Sequence, residues 1–349
     1  MVEMHLPHAL SALLVITIVV ALLFDFTNGF HDTANAIATV VSTRVLSPPV
    51  AVLMCAVLNF AGAFFSTNVA KTIAKGLVEA EAATQAVILA AIVGAIVWNV
   101  LTWYFGIPSS SSHALIGGLV GAAIVQSGFH AVKWEGVLEK VVLPMVLSPI
   151  AGGVLGFVIM MVIFALFAKT SQSKVSFVFH NLQRLSAAAM SFTHGQNDAQ
   201  KTMGVITLAL VANHMLPAGK DIHIPTWVVI SCATAMALGT ASGGWRIIKT
   251  MGQRIIRLEP VHGFAAEAAG ASVIFAASAM GMAVSTTHVI SGSIFGVGVA
   301  KNLAGVRWNT AQRMVAAWCL TLPSAAIVAG ACLFAIRAMS HPAAVALVK

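Results

Sequence analysis

The feature that most constrains this chain is its supply of long, unbroken apolar runs. They cover about residues 8–42, 50–66, 82–106, 141–168, 185–212, 226–245, 263–282 and 314–336, with two Gly-rich apolar limbs reaching about 127 and 300. A membrane-spanning helix needs roughly 17–25 such residues. Only 9% of the 349 residues are charged, against about 25% in a soluble domain. The runs do not alternate as the strands of a β-barrel would. The chain therefore reads as an all-α polytopic membrane protein, multi-pass in the cell inner (plasma) membrane. No stretch reads as a soluble domain. Glu3, the long run after it and the lack of a small-residue cleavage site predict a retained first span.

Two of these runs carry an aspartate. Asp32 lies in Gly29-Phe30-His31-Asp32-Thr33-Ala34-Asn35-Ala36, and Asp198 in Gly195-Gln196-Asn197-Asp198-Ala199-Gln200-Lys201-Thr202. A carboxylate at mid-bilayer costs about 2.5–3.5 kcal/mol on insertion scales and marks a polar interior. Two in similar contexts point to a site built from a repeat, and both suit a cation. Asn28, Asn35, Asn197 and Gln200 offer amide ligands nearby; helix–helix hydrogen bonding is the competing use of each. Asn28-Gly29 is a helix-breaking pair and predicts two half-helices or a local unwinding. Glu267, also inside an apolar limb, is a weaker interior candidate.

A second pair of motifs follows the same order. Pro108-Ser109-Ser110-Ser111-Ser112-His113 and Val284-Ser285-Thr286-Thr287-His288 each open an apolar, Gly-rich limb. Pro and Ser suit a helix start. The first turn offers free N–H groups and the positive end of the dipole, which favour an oxyanion. If both tips meet at mid-membrane, one oxyanion is held from two sides; the competing reading is two capped helix starts. His113 and His288 would donate to the anion, carry a proton or pack between helices. Gly117/Gly121 and Gly292/Gly296 let helices approach closely. The four cysteines read as plain buried thiols.

Four landmarks thus recur in order, counting Lys71-Thr72-Ile73 against Lys249-Thr250-Met251, and divide the chain into 1–168 and 169–349. Loop charge gives their orientation. The second-half loops around the hairpin hold Arg246, Lys249, Arg254 and Arg257, then Lys301, Arg307 and Arg313. Their first-half counterparts, Lys71 and Lys75, then Lys133 and Lys140, are balanced by glutamates. The positive-inside rule puts the first set in the cytoplasm and the second outside. The loop 169–184 is basic and 213–225, with Lys220 and Asp221, is neutral, in agreement. Both termini come out external, with Arg337 and Lys349 as mild counter-evidence. The expectation is two inverted-topology repeats with broken helices and re-entrant-type helical hairpins, the architecture of a secondary transporter. The net charge of +8 belongs to these loops and implies no nucleic acid. A symmetric duplicate of Ser-x-x-His argues against a hydrolase, which needs one nucleophile–base pair.

At these residues the chain resembles the inorganic phosphate transporter (PiT) family, whose signature is a repeated G-x-N-D-x-A-N-A with P-S-S-S-S-H-type hairpin tips. The first copy keeps Gly29, Asp32, Ala34, Asn35 and Ala36, with His31 in place of Asn. The second keeps Gly195, Asn197 and Asp198, and puts Gln200-Lys201 where the family has Ala-Asn. The resemblance implies a secondary active importer of inorganic phosphate, not an enzyme, working by cation symport and alternating access. Asn35, Ser110, Ser111, Ser112, Ser285, Thr286 and Thr287 become phosphate candidates, with Lys201 beside them. Asp32 and Asp198 become coupling sites for H+ or Na+. Lys201 departs from the signature, so a proton is the expected ion; sodium coupling, metal-phosphate cargo and sulfate are alternatives. No cofactor is implied beyond the coupling ion, and no metal is assigned. The bilayer, a homodimer and a PhoU-like soluble regulator are the partners carried over. Lys201 is expected either to sit at Asp198 or to snorkel to the cytoplasmic surface.

Overall fold

The structure, a computed structural model, describes residues 12–79, 81–217, 219 and 222–340. The beginning of the first apolar run, Glu3, and the loop and terminal charges Lys220, Asp221 and Lys349 lie outside the described residues. The described residues are almost wholly helical, as the apolar runs require. Helix α1 (Ala12–Ser42) is followed by α2 (Pro48–Gly62) and the short α3 (Asn68–Gly76). Next come α4 (Gln85–Phe105) and α5 (Ser111–Ser127), joined through Pro108. A short α6 (Trp134–Val137) passes through one π turn into α7 (Leu143–Phe167). The order then recurs: long α8 (Gln172–Ala212), α9 (Thr226–Ser242), short α10 (Trp245–Gln253), α11 (Pro260–Ala279), α12 (Thr286–Lys301) and α13 (Trp308–Ser340). Among the described residues five helices are long and apolar enough to cross a membrane, or six if α9 and α10, bent by 72°, form one span.

Several segments read as loops are helical. Lys71 and Lys75 lie on α3, Lys249 on α10, and Lys174 and Arg184 on α8. The expected break at Asn28-Gly29 does not occur: α1 runs through it, and α8 runs through Gly195. Both glycines serve close packing. A Cβ on Gly29 would stand 2.3 Å from the Met236 carbonyl oxygen of α9, and one on Gly239 would stand 2.0 Å from Phe26 O of α1. The second motif repeats this, with Gly195 against Asn59 O of α2 at 2.2 Å and Gly62 against Phe192 O at 2.1 Å. The break falls instead between α9 and α10. The later glycine pairs act similarly: Gly117 and Gly121 of α5 lie on Leu322 and Ala326 of α13, and Gly292 and Gly296 of α12 lie on Pro149 and Gly153 of α7. Of the cysteines, Cys55 and Cys232 are buried, Cys332 is half-buried and Cys319 is exposed.

Helices α1 and α8 run in opposite directions. Residue 43 meets 183 through a 2.8 Å hydrogen bond between Thr43 and Gln183, while Asp32 lies beside His194 and Asp198. Two hydrophobic clusters flank this pair. One takes Leu14, Ala21 and Phe24 of α1 with Met203–Leu210 of α8; the other takes Ile37 and Val40 with Phe179, Ala187 and Met190. The two aspartate motifs lie between them, at the middle of both helices.

Candidate functional site

The site forms where the starts of α5 and α12 meet the middles of α1 and α8. Ser110 and Ser285 are N-caps, accepting from the backbone N–H of His113 at 3.1 Å and of His288 at 3.3 Å. Each cap stabilises its helix start by about 0.5–2 kcal/mol. Their capping role is the competing reading of the hydroxyl runs, and for these two residues it holds. The next two hydroxyls of each tip point to the motif helices. Ser111 donates to Asp32 Oδ2 at 2.7 Å. Thr286 donates to Asp198 Oδ2 at 3.1 Å.

The motif residues three positions past the aspartates cross to the opposite hairpin. Asn35 donates from Nδ2 to Thr286 Oγ1 at 3.1 Å and to Thr287 Oγ1 at 2.9 Å. Lys201 donates to Ser112, to Asp198 and, at 3.1 Å, to the Val284 carbonyl. It is 1% exposed, so the surface reading is corrected. The bundle surrounds it, and its ammonium is neutralised by the carboxylate one turn earlier on the same helix.

Both aspartates are buried and well supplied with partners. Asp32 meets His31 Nδ1 at 2.5 Å, and His31 Nε2 lies 3.1 Å from Thr102 Oγ1. Besides Lys201, Asp198 accepts from Asn197 Nδ2 at 2.8 Å and lies 3.2 Å from His194 Nε2. His194 in turn pairs with Asn59 at 3.0 Å, and Asn59 donates to Thr240 at 2.9 Å. Asp32, His194 and Asp198 each place one ligand atom within 4.8 Å of the others.

The remaining expected residues stand differently. Gln200 caps α3, its side-chain oxygen accepting from Val69 N at 2.8 Å and Ala70 N at 3.3 Å; Ser66 takes the Asn68 N–H and the N-cap Thr67 makes no side-chain cap, so an amide from α8 satisfies the next two N–H groups. His113 and His288 meet each other edge to face, ring centres 4.8 Å apart, and His288 stacks on Trp318 at 4.1 Å. Asn28 is buried beside Asp25, one turn before it. Glu267 is buried, accepting from Thr39 at 2.5 Å, Ser186 at 2.5 Å and Gln183 at 3.1 Å.

Sequence reasoning missed His194 and Asp25. The available signal was spacing: His194 lies four residues before Asp198, and Asp25 seven before Asp32, on the same helix faces.

A polar site sunk between two hydrophobic cores, in a bundle whose outer side chains are apolar, suits the passage of a small anion. The fold is that of a polytopic helical membrane protein. Residues 28–175 and 167–329 match the model of the Phosphate transporter family. Two curated relatives, from Bacillus subtilis (strain 168) and Rhizobium meliloti (strain 1021), each carry the name "Probable low-affinity inorganic phosphate transporter". They are 49% identical over 322 residues and 50% over 324, covering 91% and 93% of this chain and 96% of each relative. A solved structure named "The sodium-dependent phosphate transporter" matches with TM-score 0.83 and 25% identity, over 93% of this chain and 99% of that one. The chain belongs to the phosphate transporter family.

Proposed function

We propose that the protein is a secondary active importer of inorganic phosphate in the inner membrane, working by cation symport and alternating access, with a proton as the coupling ion. One observation carries this reading: residues of each aspartate motif bond the hairpin tip of the opposite half, Asn35 to Thr286 and Thr287, and Lys201 to Ser112. Hydroxyls, an amide and a fixed ammonium therefore converge from both sides, as an oxyanion requires.

The hydroxyls also supply a route to coupling. Ser111 and Thr286 each have one O–H proton, now donated to Asp32 and Asp198. A phosphate that takes those donors leaves both carboxylates short of partners. A cation then binds them more favourably, and by linkage the cation favours phosphate. Lys201 supports the proton over sodium, because an ammonium stands between Asp198 and Ser112 where the family signature has an amide. Sodium is the rival ion, supported by the sodium dependence in the name of the solved neighbour. Metal-phosphate is the rival cargo, supported by the close approach of Asp32, His194 and Asp198.

We read residues 1–168 and 169–349 as inverted halves, supported by the opposed directions of α1 and α8 and by loop charge. A homodimer and a PhoU-like regulator enter this proposal through the family resemblance. The test is uptake of radiolabelled phosphate into proteoliposomes under an imposed pH or sodium gradient. Accumulation against a phosphate gradient under the pH gradient alone supports the reading. Uptake that only equilibrates indicates a channel, and equal competition by sulfate removes the substrate assignment.

A further inference from the structure

Four carboxylates lie buried in the described core, and three have donors. Asp198 has Lys201, Asn197 and Thr286; Asp32 has His31 and Ser111; Glu267 has Thr39, Ser186 and Gln183. Asp25 is different. It is 0% exposed, and neither carboxyl oxygen makes a hydrogen bond. Both side-chain atoms of Asn28 and the hydroxyl of Thr202 are likewise buried without hydrogen-bond partners. These three side chains face one another, with the Cys232 thiol of α9 beside them. No lysine, arginine or histidine pairs with Asp25 among the described ion pairs.

A bare carboxylate in such surroundings is costly, and so is each unpaired amide and hydroxyl. One added cation relieves the carboxylate and the oxygens. Sodium would be ligated by the oxygens of Asp25, Asn28 and Thr202, whereas a proton neutralises Asp25 and gives it one O–H to donate to a neighbouring oxygen. We infer that Asp25, with Asn28 and Thr202, is a seat for the coupling monovalent cation, a proton or sodium, separate from the phosphate-lining aspartates. Oxygen-only donors suit these hard ions. The inference rests on the transporter reading and adds a second cation seat to the one proposed at Asp32 and Asp198.

The cluster is wired to the phosphate-lining residues by helix geometry. Asp25, Asn28, Asp32 and Asn35 fall at i, i+3, i+7 and i+10, one face of α1. Thr202 lies four residues after Asp198, on one face of α8. The titratable groups that act on Asp25 are Asp198 and Cys232, so a cation here also offsets the repulsion between Asp25 and Asp198.

The test separates exchange from accumulation in proteoliposomes of the full chain. Phosphate-for-phosphate exchange needs no net cation movement, whereas uphill uptake does. A pH difference of one unit drives about tenfold accumulation per coupled proton. Asp25→Asn is expected to keep exchange and lose accumulation, and the gradient that drives the parent names the ion. Accumulation by Asp25→Asn equal to the parent, with the same pH and sodium dependence, overturns the inference. If that variant does not fold, Thr202→Val decides, by a shifted pH or sodium midpoint (support) or an unchanged one (refutation). A parent that exchanges no phosphate sinks the transport reading instead. Asp25 is then decided in detergent without phosphate: sodium or acid raises the Tm of the parent if the ion binds the folded state, and Asp25→Asn abolishes that rise. A rise that survives Asp25→Asn refutes the site.

Discussion

Asn35 of α1 and Thr287 at the start of α12 are joined by a 2.9 Å hydrogen bond from the amide to the hydroxyl. The bond ties the first aspartate motif to the hairpin of the other half. Removing a hydrogen bond to a charged ligand costs about 1.5–3 kcal/mol, or roughly tenfold to a hundredfold in affinity. Asn35→Ala, Ser111→Ala and Thr286→Ala are each expected to weaken phosphate binding on that scale in an equilibrium assay with radiolabelled phosphate. Unchanged affinity in all three would remove the tips from the site.

Lys201 and Asp198 form a buried ion pair inside α8. Lys201→Met leaves the carboxylate without its ammonium and is expected to cost about 3–5 kcal/mol. Adding Asp198→Asn to Lys201→Met should recover much of that loss, since two neutral side chains replace an unpaired charge. Thermal unfolding of the detergent-solubilised variants checks both. A double variant no more stable than the single one contradicts the pairing.

Lys201→Asn restores the signature asparagine in the second motif, leaving Gln200 in place of its alanine. Removing the ammonium returns an amide to the neighbourhood of Asp198, and uptake is expected to acquire sodium dependence or to lose phosphate affinity sharply. Uptake that matches the parent in affinity, pH and sodium dependence would mean the ammonium is not part of coupling.

Gly29 and Gly195 lie within continuous helices, where alanine normally stabilises by about 0.5–1 kcal/mol. Here the added methyl would meet a carbonyl oxygen at 2.3 Å or 2.2 Å. Overpacking of this kind typically costs about 1–3 kcal/mol. Gly29→Ala and Gly195→Ala are therefore expected to lower Tm. A rise in Tm would restore the reading of these glycines as mere helix weakeners.

Orientation is tested by labelling. Single cysteines at Glu79 and Glu135 should react with an impermeant thiol reagent from outside the cell, and cysteines at Gln253 and Asn309 should not. Labelling of both pairs from one face refutes the inverted arrangement.

The apolar runs and the duplicated motifs made the helical bundle and the meeting of most candidate site residues legible, because both report on burial: a carboxylate or hydroxyl run inside an apolar segment has few places to go. What stayed hidden depended on partners far away in the chain. Asn28-Gly29 looks like a break until α9 presses against it. Gln200 looks like a site amide until the start of α3 claims its oxygen. Asp25 lacks a motif around it, and its isolation is visible only once its neighbours are placed. Lys201 could face either way, and the carboxylate at Asp198 with Ser112 beyond it decides in favour of the interior.

The seating of α5 on α13, and of α12 on α7, has a consequence for biogenesis. The notches at Gly117 and Gly121 receive the backbone of the last described helix, which leaves the ribosome long after α5 itself. Until then that face of α5 has no native lodging, and the first hairpin must wait in the translocon or against lipid. A ribosome stalled before α13 would therefore release a chain whose aspartate motifs are all present but whose first tip is unmoored, a substrate for membrane quality control rather than a half-active transporter.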